Sequence, residues 1–128
     1  MNFTTKEDIK DYHGFVYSIS EKDTGMKYIG CKKFWKIIKR KPLKGKKNKR
    51  HSIVESDWKT YNSSNKILQE KIVLDPTNYH KQILRLCKSQ TDMKLYEAFI
   101  QLQFYFNGDW NQLYNGIINL RVRVRKSK

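Results

Sequence analysis

The sequence predicts a mixed α/β (α+β) fold, and three observations predict it. Residues 14–20 (GFVYSIS) and 27–30 (KYIG) are short runs of aromatic and β-branched residues separated by EKDTGM, the composition of two strands joined by a turn. Residues 79–87 (YHKQILRLC) form a third strand-like run. Residues 91–106 (TDMKLYEAFIQLQFYF) carry apolar side chains at three- and four-residue steps, the period of one helix face.

Taken in order, Asp23, Thr24 and Gly25 are turn formers, so the first two runs read as an antiparallel hairpin. Residues 33–39 (KFWKIIK) predict a short helix turning Phe34, Trp35 and Ile38 inward until Pro42 stops it. Residues 36–50 then hold nine basic residues in fifteen and no acid. With a Gly and a Pro among them they predict a loop, one whose Lys36, Lys39, Arg40, Lys44, Lys46 and Lys47 track phosphates. Ser63 or Ser64 can cap a helix of about ten residues in which Ile67, Leu68 and Ile72 face the core. In the third strand, adjacent Ile83 and Leu84 break the alternation. In the long helix Leu95, Ala98, Phe99, Leu102 and Phe106 predict a core stripe, with Glu97 on its flank and Asn107-Gly108 at its end. Residues 119–128 (NLRVRVRKSK) alternate Arg with Val, as a strand would if Arg121 and Arg123 faced solvent or phosphate.

At 128 residues, without an internal repeat or a linker, the chain is expected to be one domain, 1–128. Lys and Arg number 27 against 12 Asp and Glu, a net charge of +15. So much like charge opposes compaction, and the partner it fits is a polyanion. Nucleic acid is favoured over an anionic membrane surface, because no sustained basic amphipathic helix is present. No run approaches the ~18 apolar residues of a membrane span, and MNFTTKEDIKDY has no signal-type apolar core. Cys31 and Cys87 have no Cys or His at metal-ligand spacing, so they read as reduced thiols in a cytoplasmic protein.

The order of these pieces resembles a known family. FVY and KYIG, with eleven residues from Tyr17 to Tyr28, resemble the paired tyrosine motifs of the GIY-YIG nuclease superfamily, with FVY in place of GIY. WKTYNSSNKILQEKI is similar to the WKxYxGSSKxL segment of phage-encoded, homing-endonuclease-like members, with Ser63 in place of Gly. HKQILRLCKSQTDMKLYEA is similar to their third strand and glutamate-bearing helix, and LYNG to their terminal Tyr-Asn element. The resemblance implies a central three-stranded antiparallel sheet flanked by helices, a divalent cation such as Mg²⁺ or Mn²⁺, and DNA phosphodiester hydrolysis in a bacterial host cell.

It also implies roles. Glu97 is the expected metal ligand, a single carboxylate sufficing for an ion that keeps most of its waters. Tyr17 and Tyr28 are the expected phenols beside the attacking water, either being the general base. A phenol with an ordinary pKa near ~10 needs cationic help for that task. Gly30 and Asn115 are expected to hold the site framework. Many members carry a helix arginine where Ile38 stands here, so the transition-state cation is Lys32, Lys33 or Arg40. Lys59, Ser63, Ser64 and Lys66 are candidate phosphate contacts. An inactive DNA-binding protein on the same scaffold stays open as the alternative. So does a homodimer on DNA.

Overall fold

The structure, a computed structural model, describes residues 2–45, 47 and 50–114, and of Arg40 and Arg50 the backbone alone. Lys46, Asn115, Arg121, Arg123 and the strand expected at 119–128 lie outside the described residues. In chain order the elements are β1 (Gly14–Glu21), β2 (Lys27–Lys33), β3 (Trp35–Arg40), β4 (Arg50–Glu55), α1 (Lys66–Leu74), β5 (Tyr79–Cys87) and α2 (Gln90–Phe106), with short 3-10 turns between some of them.

The main sheet is antiparallel in the order β2-β1-β5. Phe15, Val16, Tyr17 and Ile19 of β1 are all buried although consecutive side chains point to opposite faces, so both faces of this strand are covered. One face meets Phe3, Phe34, Trp58, Leu68, Ile72 and Tyr79. On the other, Val16, Ile29 and Cys87 pack with Met93 of α2 and with Leu113. Phe15 sits 5.0 Å from Phe34 and 5.8 Å from Trp58 between ring centroids, contacts worth about 0.5–1.5 kcal/mol each beyond burial. A bulge where Val16 and Tyr17 meet β5 accounts for the broken alternation there. Ile83 packs against the first cluster and Leu84 against the second, and the extra residue brings Leu86 back to the first.

The expected hairpin turn is held at its base by Glu21 and Met26 and from outside by Asn78, whose side chain bonds the Asp23 amide at 3.2 Å. Ser89 caps α2 by accepting from the Asp92 amide. At the other end Gly108, at φ 81°, takes the left-handed conformation that lets its amide and that of Asp109 bond back to Tyr105 and Phe104.

Four sequence expectations are corrected. Residues 33–39 are not helical: Phe34 is a buried junction, and Trp35–Arg40 is a strand paired with Arg50–Glu55 in a separate two-stranded sheet. The basic segment 36–50 is therefore a loop only between those strands. Asn65, not Ser63 or Ser64, caps α1, accepting from the amides of Ile67 and Leu68; Leu68 and Ile72 are buried, but Ile67 is 63 % exposed. In α2 the expected stripe holds only at Ala98. Leu95, Phe99 and Phe106 are exposed, while Met93 and Gln101 are buried and Tyr96, Ile100 and Phe104 pack against the second cluster.

Candidate active site

The β1–β2 register sets Tyr17 directly opposite Gly30, which places Tyr17, Tyr28, Gly30 and Lys32 on one face of the sheet. The Tyr17 ring lies over Gly30. A Cβ at position 30 would stand 2.6 Å from the Tyr17 hydroxyl, 2.8 Å from its Cζ and 2.9 Å from Cε1 of Tyr28. Only a residue without a side chain lets the two rings come as close as they do, 6.2 Å between centroids at 29°. Tyr61 meets Tyr17 edge-on at 6.1 Å.

The phenols differ in access. Tyr17 is 1 % exposed, and burial first, then the neighbouring Tyr28, raises its pKa far above the ordinary tyrosine value. Tyr28 is half-buried, and its hydroxyl pairs with Ser64 Oγ at 2.8 Å. Burial raises its pKa too, against the opposing pull of that hydrogen bond. Below pH ~10 folded and unfolded chains both hold the Tyr17 proton; above it the unfolded chain ionises first, so this tyrosine's contribution to stability fades as pH rises. Alkaline titration followed by ultraviolet difference spectroscopy is expected to leave Tyr17 silent until unfolding. In a Tyr17→Phe variant the step that coincides with unfolding should shrink by one tyrosine.

Glu97 reaches the β2 edge from α2. Its Oε1 accepts from Gln101 Nε2 at 3.4 Å, and the same amide donates to the Ile29 carbonyl at 3.2 Å, so Gln101 ties the carboxylate to the strand. Lys94 Nζ is 3.9 Å from Oε2, too far for a hydrogen bond, and Oε2 is buried with no hydrogen-bond partner. Burial, then the adjacent Glu97 carboxylate, pushes the Cys31 thiol up to about 12. At neutral pH that sulfur is a thiol and not a thiolate ligand.

The lysine pair divides. Lys32 lies on the tyrosine face, 4.1 Å over the Tyr61 ring and 2.9 Å from Asp57, whose carboxyl it holds below the ordinary value. Lys33 is exposed, and strand alternation turns it to the opposite face. A cleft of about 320 Å³ runs beside the site, with Lys32, Lys33, Lys36 and Lys94 in its wall. Arg40 stands at the far end of β3, opposite Arg50, on the order of 20 Å of extended chain from Lys33.

Two tyrosines across a glycine on neighbouring strands, with a helix glutamate against the same edge, are found in a chain whose residues 1–116 match the family model described as "Putative endonuclease segE, GIY-YIG domain". The chain belongs to this GIY-YIG nuclease family. GIY-YIG proteins of this kind are DNA endonucleases, phosphodiester hydrolases whose substrate is DNA. The three-stranded antiparallel sheet with its two helices agrees with that fold. No curated protein and no solved structure gives a significant match.

Within the GIY-YIG frame, the remaining candidates take other places. Ser63 is fully buried at φ 78°, its hydroxyl bonded to the Asn65 amide, so it presents nothing to a phosphate. That φ is the left-handed region glycine prefers, which gives a physical reason for a Gly at this point of the motif. Ser64 serves Tyr28, while Lys59 and Lys66 are exposed. Trp58 is core. Sequence reasoning missed Gln101, Lys94 and Tyr61. Gln101 and Lys94 stand four and three residues from Glu97 on one helix, a spacing that could have flagged them.

The residues present fit a hard divalent cation at one point. Glu97 Oε2, a buried carboxylate oxygen without a hydrogen-bond partner, is the donor such an ion takes. No group of three His, Cys, Asp or Glu side chains stands together among the described residues, so an ion there would rely on water and phosphate for its other ligands.

Proposed function

We propose that this chain is a divalent-metal-dependent, homing-endonuclease-like nuclease of phage origin that hydrolyses DNA in the bacterial cytoplasm, with Mg²⁺ as the ion. The observation that carries the reading is the close approach of Tyr17 and Tyr28 over Gly30, together with a buried Glu97 oxygen that has no hydrogen bond and whose carboxylate charge bears on both phenols.

Tyr28, the phenol with access to solvent, orients the attacking water and, once its own proton has passed to solvent, takes the water's proton as a phenolate, a state that burial opposes and a bound cation would favour. Tyr17 fixes the Tyr28 ring by stacking. Lys32 can exchange its exposed partner Asp57 for a phosphate oxygen, placing its ammonium where negative charge develops in the transition state. Glu97 would hold the cation, which when bound supplies Lewis-acid neutralisation of the phosphoryl group. Gln101 keeps that carboxylate from turning away. The balance is simple: water adds to phosphorus, the bond to the 3′-oxygen breaks, and the leaving oxygen takes a proton from solvent.

Incubation with supercoiled plasmid tests this. Nicked or linear product is expected with Mg²⁺ or Mn²⁺ and none after chelation. Cleavage that survives chelation would remove the metal requirement; DNA binding without cleavage under any divalent ion would leave an inactive DNA-binding protein.

A further inference from the structure

The ribbon formed by β3 and β4 leaves the main sheet directly after the site strand β2, and its side chains match neither a core nor an ordinary solvated hairpin. Its register pairs Ile37 with Ile53 and Lys39 with His51, so these four share one face. Ile37 is 67 % exposed and Ile53 is 72 % exposed. Two large aliphatic side chains thus lie side by side in the open, an arrangement that has a cost unless something covers it. Around them the chain is strongly basic: Lys36, Lys39, Arg40, Lys41 and Lys44 stand on β3 and just past it, and the first acid after Asp23 is Glu55.

We propose that this ribbon is the sequence-reading element of the nuclease and lies in the major groove of duplex DNA. The inference rests on the nuclease reading above and adds the element and the groove. The charge selects the occupant, because a second copy of this ribbon would bring like charges together whereas DNA supplies phosphates along both walls of the groove. The size selects the groove. Two strands about 4.8 Å apart with their side chains make a ribbon roughly 10 Å across, which fits a groove about 12 Å wide and not one of about 6 Å. The apolar pair faces the groove floor, where the thymine methyl is the one apolar group that a base edge offers. Lys39 and His51, beside the pair, can reach purine acceptors, and Lys36, on the opposite face of the strand, reaches phosphate.

The root of the ribbon gives the proposal its geometry. Phe34 is buried in the first cluster, Trp35 Nε1 donates to the Tyr12 carbonyl at 3.0 Å, and Ser56 Oγ donates to the Lys33 carbonyl at 2.6 Å. The ribbon is therefore clamped to the strand that carries Tyr28, Gly30 and Lys32. Ile37 stands five residue steps beyond Lys32, on the order of 16 Å of extended chain. The bases read should lie within about five base pairs of the bond cut, at a constant offset.

The test uses the full chain carrying Glu97→Gln, so that DNA is held and not cut, with a random-sequence duplex pool as probe. Sequencing of the bound fraction is expected to show enrichment. Dimethyl sulfate on the enriched duplexes should find guanine N7, a major-groove atom, protected, with adenine N3 in the minor groove open. Adding Ile37→Thr and Ile53→Thr, which keep strand propensity, should abolish the enrichment and the N7 protection while the salt dependence of binding stays unchanged. Adding Lys36→Ala instead should weaken binding to every sequence and make the slope of log K against log salt shallower by about 0.9.

Adenine N3 protection in place of N7, or enrichment that survives the double threonine change in a chain with unaltered thermal unfolding, would overturn the proposal. So would a dimer of the parent that the threonine changes dissociate with DNA binding intact, since the face would then be a contact between copies. If the parent binds no duplex at all, the nuclease reading itself fails, a result distinct from loss of selectivity alone.

Discussion

Glu97→Gln is expected to lower the rate of plasmid cleavage by about 10³-fold and leave the fold intact or slightly more stable. A bound cation contributes several kcal/mol of transition-state stabilisation, and about 4 kcal/mol corresponds to ~10³ at 1.36 kcal/mol per decade. The amide keeps the shape of the side chain and an oxygen for Gln101 but loses the charge that would hold the ion. Stability should move the other way. Oε2 is a buried carboxylate oxygen with no hydrogen bond and only a distant lysine, so neutralising it removes a desolvation cost of about 1–2 kcal/mol or less. Single-turnover cleavage together with urea unfolding reads both quantities. Activity equal to the parent would exclude Glu97 from the site, and a large loss of stability would make it a structural residue instead.

Gly30→Ala should damage both fold and activity, because a methyl group at this position has no room. It would meet the Tyr17 hydroxyl at 2.6 Å and the Tyr28 ring at 2.9 Å, and Tyr17, which is 1 % exposed, has nowhere to retreat. Overpacking of this kind costs about 1–3 kcal/mol. A displacement near 1 Å of the paired phenols costs about 10² in rate. Combining it with Tyr17→Phe removes the hydroxyl, the nearest of the clashing atoms, and should restore part of the stability without restoring cleavage. If Gly30→Ala alone cleaves normally, the close approach of the two rings is incidental to the chemistry.

What could be read from the sequence depended on whether local pattern and tertiary role agreed. The β1–β2 hairpin, β5 and the extent of α2 were legible because aromatic runs, turn formers and a glycine stop coincide with the structure there. Tyr17, Tyr28, Gly30 and Glu97 followed from motif order, and the structure brings the first three together with Glu97 beside them. The β3–β4 ribbon was not legible. Its two strands are separated by a basic connection, and the apolar Ile37 and Ile53 lie on an exposed face, so no alternation of apolar with polar residues marked it. The spacing of Phe34, Trp35 and Ile38 suggested a helix in its place.

The stripe of α2 was misplaced for a different reason. Gln101 is buried because its amide bridges Glu97 and the Ile29 carbonyl. A rule that turns apolar residues inward then selects Leu95 and Phe99, both exposed, over Met93 and Gln101. The hydrophobic pattern fails on the helix face where the site needs polar atoms inside. Position 38, where the arginine is expected, is an isoleucine in a strand of the ribbon, and Lys32 is the candidate cation that stands on the tyrosine face of β2, over the Tyr61 ring.

Strand β1 is enclosed by neighbours on both edges and by side chains on both faces. Segments so placed exchange their amide protons only when the whole molecule opens, whereas peripheral ribbons open on their own. Tyr17 therefore belongs to the most slowly opening part of the chain and the β3–β4 ribbon to a faster one. Beyond its clamped root the ribbon can breathe or accumulate substitutions at its exposed positions while the geometry around the tyrosines persists.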